Sequence, residues 1–132
     1  MVMVVIDASV WVAWFKKDDK YLEQAENIIQ SVLAGKETIC LPAIAFTEVG
    51  GVIKRSMKDN NAAWEAVYHM KEMKPKVFGD FDKLEPIATD MAIKYNIKGM
   101  DAYYLAVAQL TKSKLHTFDQ QQKDAFEAMV NG

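Results

Sequence analysis

Residues 2–15 read VMVVIDASVWVAWF, and this stretch decides the fold class. Val2 to Ile6 is an unbroken apolar run rich in β-branched side chains, the pattern of a buried strand. Asp7-Ala8-Ser9 then opens a helical turn that continues through Trp11, Trp14 and Phe15. Asp7 or Ser9 supplies a side chain suited to cap that turn. A strand passing directly into a helix is the opening unit of a parallel sheet built by crossovers.

The same alternation continues outward. Helical spacing of Leu22, Ala25, Ile28, Ile29, Val32 and Leu33 predicts a helix from about Tyr21 to Leu33, stopped by Gly35. Thr38 to Leu41 reads as a second strand. Pro42 fits the first turn of a helix running to about Met57, and Asn60 the cap of the next, which carries Trp64, Val67 and Met70. Lys76-Val77-Phe78 is a third, short strand, followed by a helix from about Leu84 to Tyr95 in which Pro86 is tolerable only in the first turn. An apolar helix begins at Gly99-Met100-Asp101, Lys114 to Phe118 reads as a fourth strand, and a last helix spans about Gln121 to Val130. The expected architecture is a mostly parallel α/β sheet with helices on both faces, whose functional crevice lies beyond the carboxyl ends of the strands.

At 132 residues and 14.9 kDa, with 51% hydrophobic and 26% charged residues, the chain reads as a single folded domain over residues 1–132. No linker, repeat or low-complexity run divides it. Asp7 breaks the first apolar run and no basic leader precedes it, so the expectation is a cytoplasmic protein with no secretory signal and no membrane span. Cys40 is the sole cysteine and His69 and His116 the sole histidines, which excludes an internal disulfide and a cysteine/histidine zinc cluster. Any metal must be held by oxygen. A net charge of −2 and a pI near 5.7 argue against a general polycation. Pairs such as Lys16 with Lys17 and Lys54 with Arg55 still leave room for a local basic rim.

Most of the 18 acidic residues must be solvated surface charges, so position decides which are not. Asp7 follows the first strand, Asp119 the fourth, and Asp101 opens a nearly all-apolar helix; each taken alone reads equally as a helix cap. Glu48 differs, because Ile44 and Val52 flank it at i−4 and i+4 and place a carboxylate in an apolar stripe. Burying it without a partner costs several kcal/mol or forces protonation. Gly50 and Gly51 follow, read as close packing against another backbone. The four acids can converge on one crevice, where pairs about 4 Å apart repel by about 4 kcal/mol at an effective dielectric of about 20. Such a cluster implies a bound cation, and all-oxygen ligation suits Mg²⁺ or Mn²⁺. A hard cation there activates water and neutralises the charge developing on a phosphodiester.

Val5-Ile6-Asp7-Ala8-Ser9, Thr47-Glu48-Val49, Met100-Asp101-Ala102-Tyr103-Tyr104-Leu105-Ala106 and Leu115-His116-Thr117-Phe118-Asp119, in that order, resemble the motifs of the PIN-domain nucleases, and among them the small VapC-like toxins. The resemblance implies a three-layer fold and metal-binding carboxylates at Asp7, Glu48, Asp101 and Asp119, supported by the hydroxyls of Ser9 and Thr117. It also implies Mg²⁺- or Mn²⁺-dependent endonucleolytic cleavage of RNA, a homodimer, and neutralisation by a small antitoxin protein. Members commonly finish with a further edge strand, so four or five strands are expected. The run Gln120-Gln121-Gln122 lacks the acid or amide pairing that some members show after the last aspartate, so one ion is expected.

The remaining features have plainer readings. Trp11, Trp14, Phe15 and Trp64 read as core or interface aromatics more readily than as base-stacking platforms. His116 reads as a satisfied core histidine. Arg55, almost two turns from Glu48 on the same helical face, is a candidate phosphate contact with Lys54 and Lys16. Among rivals, a phosphoacceptor receiver domain would want paired acids after the first strand, and a DxDxT-type phosphatase fails because Ser9 holds the second acidic position. A catalytically weak PIN-like binding module, acting through protein contacts, remains the other reading.

Overall fold

The computed structural model describes residues 2–132. Val4, Val5 and Ile6 are each fully buried. Consecutive strand residues point to opposite faces, so this strand must be covered on both sides. It is β1 (Val2–Ile6), and it pairs in parallel with β2 (Glu37–Pro42) on one side and β4 (Lys114–His116) on the other. β3 (Lys76–Phe78) pairs in parallel with β2, giving the order β3-β2-β1-β4. Four strands therefore form the sheet among the described residues.

Helix pairs fill each crossover. α1 (Ala8–Lys16) and α2 (Leu22–Leu33) join β1 to β2, while α3 (Ile44–Met57) and α4 (Asn60–Glu72) join β2 to β3. α5 (Phe81–Tyr95) and α6 (Gly99–Thr111) lead into β4, and α7 (Gln120–Asn131) follows it. α6 lies against β1, β2 and β4. Its Ala102 and Tyr104 through Ala108 are buried, as expected of a helix apolar nearly all round. Trp11 is fully buried on α1, and its indole Nε1 donates to the Ile6 carbonyl at 3.0 Å. That bond satisfies the one polar atom of a large core side chain. Trp64 instead stands 72% exposed on α4, so it belongs to no core.

Several local expectations change. Pro42 ends β2 opposite Phe78 and does not enter α3. Asp59 caps α4 by accepting from the Asn61 backbone N–H, a place expected for Asn60. α5 begins at Phe81, capped by Asp80, so Pro86 lies beyond the first turn. Pro86 and Asp82, whose carbonyl loses its helical donor, both lie on the exposed side of the helix. β4 ends at His116, since Thr117 and Phe118 turn toward the next helix. A side chain at Gly50 would meet Val67 Cγ2 of α4 at 3.1 Å, so this close approach is to a side chain, with no backbone involved. His116 is not satisfied: its Nε2 is buried without a hydrogen-bond partner, and burial pushes its pKa down.

The placement of the tryptophans yields a direct check. Trp11→Phe loses the indole bond and leaves a void, and should destabilise the protein by about 2 kcal/mol in urea unfolding. Trp64→Phe should change stability by less than about 0.5 kcal/mol. Equal unfolding midpoints for the two variants would contradict the packing described.

Candidate functional site

The sheet changes its direction of growth at β1: β2 and β3 extend one way, and β4 returns to the other side. In open parallel sheets a crevice forms outside the carboxyl ends of the strands at such a reversal. Asp7 leaves the end of β1, and Asp119 lies three residues beyond β4. Glu48 from the second turn of α3 and Asp101 from the first turn of α6 line the same crevice, which encloses about 540 Å³.

Each acid is held differently. Asp7 is only 3% exposed. Its Oδ2 accepts from Ser9 Oγ at 2.7 Å, Thr117 Oγ1 at 3.0 Å and the Ser9 backbone N–H at 3.2 Å. Burial raises its pKa, and these bonds oppose the rise by favouring the charged form. The two hydroxyls also hold the opposite wall, Ser9 Oγ accepting from the Phe118 N–H and Thr117 Oγ1 from the Asp119 N–H, each at 3.0 Å. Glu48 Oε1 accepts from the buried Tyr104 hydroxyl at 2.8 Å. Burial raises its pKa as well, with Tyr104 opposing and the Asp7 charge adding. Asp101 rises to about 6, first through burial and then through the charges of Asp7, Asp119 and Glu48, with Lys98 opposing. Asp119 is exposed and accepts from the Gln122 N–H at 3.1 Å.

Asp7 and Asp119 therefore cap α1 and α7 while also facing the crevice, so capping and lining are not alternatives. Asp101 is no cap; Lys98 occupies that position on α6. Of the basic candidates, none lines the crevice. Lys54 lines a separate cavity of about 470 Å³ with Trp64, Arg55 is exposed, and Lys16 lies in the last turn of α1. The crevice cation is Lys98, which nothing in the sequence marked. Asp19 and Tyr21 line it too. Tyr104 was legible in principle, since it follows Asp101 by three residues and so shares its helical face. Gln122, expected to contribute no amide pairing, is fully buried and hydrogen-bonded to Thr117.

Among the described residues, no three His, Cys, Asp or Glu side chains stand in a group that could hold a metal ion as they are. The donor chemistry nevertheless fits one. Four carboxylates line one crevice, and burial together with the charges of the other three raises Asp101; a hard divalent cation ligated by oxygen would relieve both.

Residues 4–127 match the PIN domain family. This chain is a PIN domain. Its fold is similar to that of Mycobacterium tuberculosis VapC20, a toxin described as cleaving the sarcin-ricin loop. The TM-score is 0.78 at 19% identity, over 92% of this chain and 94% of that one. It is also similar to PAE2754 from Pyrobaculum aerophilum, with a TM-score of 0.62 at 20% identity over 98% and 93% of the two chains. No curated protein matches it in sequence. PIN membership sets aside the receiver-domain reading. No helix among the described residues is long and apolar enough to cross a membrane.

The burial and crowding of Asp101 have a pH signature. Asp101 titrates at about 6 in the fold against an ordinary 3.8, so between those values the folded protein holds the extra proton. Stability then falls as pH rises from below the lower value through the upper one. Asp101→Asn removes the charge at nearly constant shape. Without metal, the variant should melt a few degrees above the original protein near pH 7.5, a gain on the order of 1 kcal/mol once solvent screening of a half-buried group is allowed for. The gain should disappear near pH 4. A melting difference independent of pH would show that neither the burial nor the repulsion of the Asp101 charge is its source.

Proposed function

We propose that this PIN domain is a Mg²⁺- or Mn²⁺-dependent endoribonuclease, the toxin of a toxin–antitoxin pair. The observation that supports this most is the convergence of Asp7, Glu48, Asp101 and Asp119 on one open crevice. These four carboxylates would hold the ion. A divalent cation held by them would supply positive charge beside a scissile phosphodiester and would acidify a water.

The chain's own residues prepare that chemistry. Ser9 and Thr117 fix the Asp7 carboxylate, and Tyr104 fixes the Glu48 carboxylate, so neither must reorganise when a phosphodiester arrives. Lys98 lines the crevice and would offer positive charge to a phosphate entering it. The products expected of hydrolysis at the 3′ oxygen are 5′-phosphate and 3′-hydroxyl ends. The crevice's acidity also defines the partner: a basic segment of a small antitoxin, with an arginine set among the carboxylates in the cation's place. The similarity to a toxin described as cleaving the sarcin-ricin loop supports RNA as the substrate class; a homodimer in a cytoplasmic setting completes the proposal.

Purified protein incubated with structured and unstructured RNA should cleave with Mg²⁺ or Mn²⁺ and stop when a chelator is added. Asp101→Asn should slow cleavage at least about 100-fold, the loss expected when several kcal/mol of charge stabilisation are removed. Cleavage unaffected by chelator or by Asp101→Asn overturns the assignment and leaves a binding module. Expression alone should arrest growth and Asp7→Asn should relieve the arrest; indifferent growth with a cleaving enzyme would sink the toxin reading alone.

A further inference from the structure

Gln122 is a fully buried polar side chain, and no step of the proposed chemistry uses it. It sits in the first turn of α7. Its Nε2 donates to the backbone carbonyl of Asp101 at 3.1 Å, and its Oε1 meets Thr117 Oγ1 at 2.9 Å. Its backbone N–H donates at 3.1 Å to Oδ1 of Asp119, the residue that caps α7. One residue therefore touches the segments carrying Asp101, Thr117 and Asp119.

Proton accounting fixes the orientation of the amide. A carbonyl only accepts, so the side facing Asp101 must be the NH₂ group, and the oxygen must face Thr117. Thr117 Oγ1 already accepts from the Asp119 N–H and has a single proton to give. Asp7 Oδ2, at 3.0 Å, and Gln122 Oε1, at 2.9 Å, compete for it. With one proton to share, the Thr117 hydroxyl bonds Asp7 or Gln122 at a given moment, so the Asp101 carbonyl, the Gln122 amide, the Thr117 hydroxyl and the Asp7 carboxylate are linked through a shared bond at Thr117. Turning the amide over would set oxygen against oxygen at Asp101, so the amide is locked in one sense. The side chain needs its full length: it must reach two partners on elements 21 and 5 residues away in sequence.

The geometry points to Gln122 as a positioning residue that sets the spacing of Asp7, Asp101 and Asp119 for a divalent cation. This rests on the metal-dependent reading above and extends it to how the acids are held against their mutual repulsion. Groups that orient metal ligands from behind typically change metal affinity or activity about 10- to 100-fold when removed. A packing residue would instead change stability alone.

The test uses Mn²⁺ binding, followed by calorimetry and by the shift in melting temperature, beside RNA cleavage. Gln122→Met keeps the volume and the backbone bond to Asp119 but removes both side-chain bonds. It should weaken Mn²⁺ binding by about tenfold or more and lower kcat by a similar factor, with KM for RNA unchanged. Gln121→Met, on the exposed side of the same turn, should behave as the original protein. Should Gln122→Met fail to fold, Gln122→Asn keeps the amide one methylene too short to span both partners, and should show the same weakened Mn²⁺ binding. If either folded variant binds Mn²⁺ as tightly as the original protein and cleaves at the same kcat, Gln122 is a packing residue and the proposal is wrong. If the original protein itself gives no Mn²⁺ signal, the metal reading fails and this inference falls with it, an outcome separable from the first.

Discussion

A carboxylate almost out of contact with water ends the central strand, and much of the surrounding structure exists to keep it there. Asp7 is 3% exposed, a position that costs several kcal/mol for an ionised group without partners. Ser9 and Thr117 supply the compensating donors, and they reach Asp7 only because β4 lies beside β1 in parallel register, with Ile6 opposite His116. The Asp7 N–H itself donates to the His116 carbonyl at 3.0 Å, extending the ladder by one bond past the strand. The same two hydroxyls accept from the Phe118 and Asp119 amides. Stabilising one buried charge thus fixes the loop that carries another.

The strand content and the acids were legible because each follows a local rule. An unbroken apolar run marks a strand covered on both faces, and a carboxylate at i±4 from Ile44 and Val52 contradicts its own helical stripe. What was not legible depends on partners distant in sequence. Tyr104 and Glu48 are 56 residues apart and Gln122 and Asp101 are 21 apart; no periodicity within either segment encodes those bonds. Lys98 escaped notice for a different reason, since one lysine among many gains meaning only from the cavity it lines. Lys54 lies outside the crevice although it shares a helix with Glu48, because with Thr47 and Gly50 it lines a cavity on another side of α3. Cap boundaries moved by a residue or more, at Asp59 and Asp80, because neighbouring polar residues compete for the same role.

The two solved relatives share the fold at 19% and 20% identity over more than nine-tenths of each chain. A core that asks chiefly for apolar character and total volume tolerates such divergence. The site is less permissive, because its hydrogen bonds demand particular atoms at particular places. Ser9 serves two partners with one hydroxyl, as donor to Asp7 and acceptor from Phe118. Alanine there would leave both groups short of a partner, and threonine would need a rotamer that keeps its oxygen in place.

Repulsion among the four acids ought to open the crevice, and the fold counters it with backbone dipoles as well as with hydrogen bonds. Three helices begin at the site: Asp7 caps α1, Asp119 caps α7, and Asp101 lies in the first turn of α6. Each helix N-terminus carries about half a unit of positive charge, and each favours a nearby carboxylate by about 0.3–1 kcal/mol. That help does not offset the burial of Asp101 and the charges of Asp7, Asp119 and Glu48, and Asp101 still rests at about 6. Glu48 has no such help, since it lies in the second turn of α3, and it has the Tyr104 hydroxyl instead. The balance is partial by construction. Complete compensation by the protein would leave no electrostatic reason for a cation to enter, whereas acids held in place and left in residual conflict supply one.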